Sequence, residues 1–125
     1  MNLIEEYLDN ITKMKLSLDD YGNKRKVRKT NRIAARNIKI AEFINTQEDL
    51  KTQYASLLES ESLEIRSRVA HHMIERMTFE KALRQKALKV IEDEVANSPD
   101  SLNSLGNKMW LKEYYSANPG DRFTE

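Results

Sequence analysis

The chain has 125 residues, with 21 Lys plus Arg against 20 Asp plus Glu, no Cys, 3 Gly and 2 Pro. That length suits one domain with a single core, and 39% apolar beside 33% charged residues fits a globular chain better than a disordered one. Without Cys there is no disulfide framework, thiol chemistry, thiolate zinc site or iron–sulfur ligation, and so few Gly and Pro leave little material for tight hairpins or phosphate-cradling loops.

The first ten residues carry Glu5, Glu6 and Asp9 within an amphipathic pattern, unlike the basic start and unbroken apolar stretch of a secretory signal. No run nears the roughly 18 apolar residues of a membrane span, so the expectation is a cytoplasmic protein without membrane contact. Ile4, Tyr7, Leu8, Ile11, Met14 and Leu18 recur at three and four residues and predict a first helix, with Asp19 to Asn23 as its stop and Gly22 as the left-handed residue. Val27, Ala34, Ile38 and Ala41, widened by Ile33, Ile40 and Ile44, predict the apolar face of a second. Thr46 and Asp49 have capping-box spacing ahead of a short third helix bearing Leu50, Tyr54, Leu57 and Leu58.

Ser60 to Ser62 supplies the next cap, before Ile65, Val69, Met73 and Met77. Thr78 is read as the cap of a fifth helix that turns Phe79, Leu83, Ala87, Val90, Ile91 and Val95 inward. Pro99 belongs in the first turn of a sixth, expected to bury Leu102, Leu105, Met109 and parts of Trp110, Leu111, Tyr114 and Tyr115. The expected domain covers 1–117, with 118–125 a solvated tail. Six helices and short loops make an all-α fold, read as three stacked antiparallel helical hairpins because small pairs recur 35 residues apart at Ala34-Ala35, Val69-Ala70 and Ser104-Leu105.

The near-neutral total hides a segregated layout. Residues 1–23 hold two basic and five acidic side chains, whereas 24–39 hold Lys24, Arg25, Lys26, Arg28, Lys29, Arg32, Arg36 and Lys39 with no acid. At helical spacing all of these except Lys26 fall within an arc of roughly 140°, opposite the apolar side. Three cations at a helix start oppose the helix dipole, and Glu92, Asp93 and Glu94 at the end of the fifth helix do the same with opposite sign. Both breaches suggest partners: Asp19 and Asp20, another copy, or another molecule.

Residues 65–73, Ile-Arg-Ser-Arg-Val-Ala-His-His-Met, resemble the second-helix signature of HEAT-type repeats, and residues 83–91 share its cadence. With Met109 to Glu113, residues 50–115 are similar to a small bacterial family of unknown function built from HEAT-like hairpins. The resemblance implies an α-α superhelix and a scaffold role with no activity attached. It also implies structural work for Arg66 and Arg84, reaching acids or carbonyls of a neighbouring repeat. Residues 24–39 depart from the pattern, since Thr30-Asn31 stands where an aliphatic-Arg pair is expected.

Chemistry is sparse. His71 and His72 are the two histidines, and Glu75 is the nearest helical carboxylate, too few ligands to expect a metal. No nucleophile elbow or Gly-rich loop is present, and the serines sit where capping explains them. No catalytic residue and no cofactor is therefore expected. The leading expectation is a noncatalytic helical scaffold that binds another protein's acidic surface through Arg25, Arg28, Lys29, Arg32, Arg36 and Lys39, in a regulatory or antitoxin/immunity-type role. The alternative is contact with nucleic-acid phosphates through the same basic helix.

Overall fold

The computed structural model describes residues 2–17, 24–97 and 101–122. Its regular structure is all helical: α1 (Leu3–Ser17), α2 (Lys24–Ile44), α3 (Glu48–Ala55), α4 (Leu63–Glu75), α5 (Lys81–Asn97) and α6 (Leu102–Ala117), with 3-10 turns at Ser56–Glu59 and Pro119–Asp121. The predicted all-α fold of six helices is what the structure shows. Among the described residues no helix is long and apolar enough to cross a membrane. The predicted stop at Asp19 to Asn23 and the break at Pro99 lie outside the described residues. The chain forms two compact units, residues 1–57 and 58–125.

In the first unit α1 packs along α2, and the short α3 closes on α2. Tyr7, Ile11 and Met14 of α1, Ile40, Ala41 and Ile44 of α2, and Tyr54 of α3 are buried. Polar groups run through this core. Asn10 Nδ2 donates to Asn37 Oδ1 at 2.9 Å, and Asn37 Nδ2 donates to the Tyr7 carbonyl at 3.1 Å. The Tyr54 hydroxyl donates to that of Tyr7 at 2.9 Å, with the rings edge to face at 5.1 Å. Burial raises the Tyr54 hydroxyl pKa well above its ordinary value, with the neighbouring Tyr7 adding to it. Such a network keeps buried polar groups satisfied and fixes one register between α1 and α2.

Two caps differ from expectation. The Thr46 hydroxyl donates back to the Phe43 carbonyl at 2.7 Å and so closes α2, leaving Gln47 as the α3 N-cap, its side chain donating to Thr46 Oγ1 and not capping the helix. The predicted start of α5 at Thr78 is three residues early, since residues 77–80 run without helical structure and the helix starts at Lys81. The expected cap at Ser62 holds, accepting the Ile65 N–H, and α6 is capped by Ser101, which accepts the Ser104 N–H.

In the second unit α5 is the central helix, packed against both α4 and α6. Val69, Ala70 and Met73 of α4, Ala87, Leu88 and Ile91 of α5, and Leu111 of α6 are buried, as are Met77 and Phe79 between α4 and α5. Leu102, Leu105 and Met109, expected inside, are 87%, 54% and 61% exposed. Trp110, Leu111 and Tyr115 turn inward as expected, joined by Ser104, and the Tyr115 hydroxyl donates to Glu92 at 2.9 Å. Arg66 donates to the Ser60 carbonyl and Arg84 to the Phe79 carbonyl, each at 2.7 Å, so both arginines brace chain turns.

The expected solvated tail is partly built into this unit. After α6 the turn Pro119–Asp121 buries Asp121, whose carboxylate takes Arg84 Nε and Nη2 at 3.0 and 2.9 Å and the Tyr114 hydroxyl. The Arg84 hydrogen bonds bring the Asp121 pKa down to about 2, and burial chiefly raises the Tyr114 hydroxyl to about 12. A charged residue in a Gly- and Pro-containing end reads as solvated until its cation, 37 residues away, is located. Asp121→Ala is expected to lower stability by about 2 kcal/mol at neutral pH, measured by denaturant titration. Because the folded pKa lies below the ordinary value, the contribution is complete above pH ~5 and fades as pH falls from ~3.8 through ~2.

Candidate functional site

α2 carries all six predicted binding residues. Arg25, Arg28, Lys29, Arg32, Arg36 and Lys39 are all exposed along one helix. The cause is visible in burial along the sequence. The α2 residues that are buried, Asn37, Ile40, Ala41 and Ile44, lie in its C-terminal half, whereas none of the described side chains from 25 to 36 is buried. Val27, predicted to face the core, is 42% exposed. The apolar face of the basic stretch is therefore only half covered.

The six cations do not form one uniform patch. Arg36 is engaged with Glu6 of α1 through Nε at 2.7 Å and Nη2 at 3.1 Å, and this guanidinium holds the Glu6 carboxyl below its usual range. Arg28, Arg32 and Lys39 stand farthest from the buried seam, at spacings of four and seven, with about 16 Å of helix from first to last. Arg25, Arg28, Asn31 and Arg32 line an open depression of about 500 Å³.

Phe43 completes the row and was missed by reading charge alone. It is 51% exposed, four residues after Lys39 and eleven after Arg32, and so lies on the cationic side rather than the core side. Extending the helical projection from the charged residues to the end of α2 would have found it. The row thus runs from guanidinium groups at one end to an exposed phenyl ring at the other.

A second, polar depression of about 320 Å³ lies in the 58–125 unit, lined by Glu64, Ser67, Arg68, His71, His72, Glu75, Glu94 and Asn107. Its members are tied to one another. Arg68 Nε donates to Glu64 at 2.8 Å, the Ser67 hydroxyl donates to Glu94 at 2.9 Å, and the His71 ring pairs through Nε2 with Asn107 Oδ1 at 3.0 Å. Nδ1 of His71 lies 3.6 Å from Glu75, whose carboxyl that histidine holds below its usual range. His72 is pushed down to about 4, first by burial and then by Arg68, His71 and Arg76, with Glu75 opposing.

The Ser67 hydroxyl is directed at the Glu94 carboxylate and not at either imidazole of this depression. Among the described residues no three His, Asp or Glu side chains are placed to hold a metal ion. The acidic end of α5, read as seeking a partner, is satisfied at home. Glu92 accepts from Tyr115, Asp93 pairs with Lys89 at 3.0 Å and Glu94 accepts from Ser67. Trp110 stacks on Tyr114 at 5.4 Å and meets His71 edge to face at 4.9 Å, as a half-buried part of the unit's packing. Compared with protein-family models, curated proteins and solved structures, the chain shows no match.

Proposed function

We propose that this protein is a noncatalytic helical scaffold that binds an acidic protein surface through the exposed face of α2. One observation carries the reading: the solvent-facing row Arg28, Arg32, Lys39 ends on the exposed ring of Phe43. Cations in series with an apolar group fit a protein partner that offers carboxylates around an apolar seat, since arginine supplies fork-shaped contacts to carboxylates and an aromatic ring supplies buried area. A regulatory or antitoxin/immunity-type role follows if the partner is an effector whose working surface is acidic.

The test is capture by the tagged chain at about 50 and about 200 mM salt. A stoichiometric protein partner is expected at both, weakened about tenfold by Phe43→Ala and lost in the Arg28→Gln, Arg32→Gln, Lys39→Gln variant. A captured set unchanged by these substitutions overturns the reading. The donor-lined depression at Arg25, Arg28, Asn31 and Arg32 favours a second reading, phosphate contact with nucleic acid. That reading requires duplex binding whose salt slope falls in the triple variant while Phe43→Ala leaves it unchanged.

A further inference from the structure

We propose that the outer face of α6 is a self-association surface, on which two copies of this chain pair with their α6 helices parallel about a two-fold axis. Leu102, Leu105 and Met109 are 87%, 54% and 61% exposed, and their spacing of three and four continues to Lys112 and Ser116. That is the a and d register of a two-helix seam over two heptads. The opposite side of the same helix is already committed to its own unit through Ser104, Leu111 and Tyr115. α6 is thus apolar on two sides and covered by its own chain on one. Three large apolar side chains in line on solvent are a feature of contact surfaces. Past Met109 the seam runs into an open groove of about 580 Å³ lined also by Lys112, Glu113, Ser116 and Ala117.

The charges beside the seam select the occupant and its direction. Lys108 and Glu113 are both exposed, flank the seam on opposite sides and stand five residues apart. In a parallel pair the residue at g faces the residue five further on, at e, of the other helix. Lys108 of each copy then meets Glu113 of the other, and the two-fold axis forms this ion pair twice. An antiparallel pair sets g against g and would bring the two Lys108 side chains together. The surface is therefore complementary to itself in one orientation, which is what an isologous contact requires. Lys112 opposes its own copy across the seam and Ser116 adds little, so only three apolar layers contribute. Such a contact belongs to the small, weak class of interfaces, populated at high concentration and not obligate.

Sedimentation of the full chain from about 10 µM to about 1 mM is expected to show a reversible monomer–dimer equilibrium. Leu105→Glu with Met109→Glu should abolish it, with the helical signal retained because both side chains are exposed. Lys108→Glu should weaken association about tenfold, and Lys108→Glu with Glu113→Lys should restore it. With no cysteine in the chain, Leu105→Cys provides a single clean probe. In the parallel pair the two sulfurs face each other and should oxidise to a disulfide dimer about tenfold faster than Ala96→Cys, an exposed position on α5. A monomer throughout the range, a dimer indifferent to the Leu105 and Met109 changes, or tighter association on Lys108→Glu each overturns the proposal.

Discussion

Asn37→Ala is expected to destabilise the 1–57 unit by about 3 kcal/mol, measured by denaturant titration followed through circular dichroism. The Asn37 side chain is fully buried and serves two groups of α1 at once, accepting from Asn10 Nδ2 and donating to the Tyr7 carbonyl. Alanine leaves the buried Asn10 amide without its acceptor, and a void where the Asn37 amide stood. The Tyr7 carbonyl is hurt less, because it lies within α1. At roughly 0.05–0.15 kcal/mol per residue, a unit of this size has about 3–8 kcal/mol in all, so one substitution approaches unfolding. Asn10→Leu together with Asn37→Leu should cost less than the sum of the single changes, since both members of the buried pair then leave together. Strictly additive single effects would show that the pair is not coupled.

Acidification should weaken the 58–125 unit well above the pH at which carboxylates titrate. His72 is held down to about 4, mainly by burial, so the folded unit resists a proton that the unfolded chain accepts near its ordinary value of 6.5. A group with a depressed folded pKa contributes stability above its unfolded value and loses it as pH falls toward the folded one. The predicted window is therefore pH ~6.5 to ~4, with a loss of about 3 kcal/mol across it. Glu75, Arg68, His71 and Arg76 are the charged or titratable neighbours that set the balance. The depressed carboxyls of Glu75 and Asp121 act at lower pH, below about 4.5. His72→Gln should flatten the stability profile between pH 7 and pH 5, whereas an unchanged slope would place its origin in another group.

Helix positions were legible in the sequence because apolar spacing and serine caps are local signals: Ser62 caps as expected, and α2 spans the predicted basic stretch. The errors arose where a residue had two uses. Thr46 has a hydroxyl suited either to starting α3 or to closing α2, and the nearby Phe43 carbonyl took it. α6 has two apolar sides, and periodicity cannot rank them. Inward polar ties at Ser104, Asn107 and Tyr115, made with α4 and α5, chose the side opposite Leu102, Leu105 and Met109. Asp121 was invisible as a structural residue because its partner Arg84 stands 37 positions away. The cationic face was legible as charge, but the withdrawal of Arg36 by Glu6 and the inclusion of Phe43 depend on how α1 meets α2.

Trp110, described above as a half-buried ring between His71 and Tyr114, gives the protein a built-in optical label. It is the sole tryptophan of the chain and lies in the 58–125 unit, while the buried tyrosine pair Tyr7 and Tyr54 lies in the other. Selective excitation of the indole therefore reports melting of one unit, and circular dichroism reports both. The two signals, recorded on the same sample without any added dye, can date the loss of each unit separately along a denaturation curve.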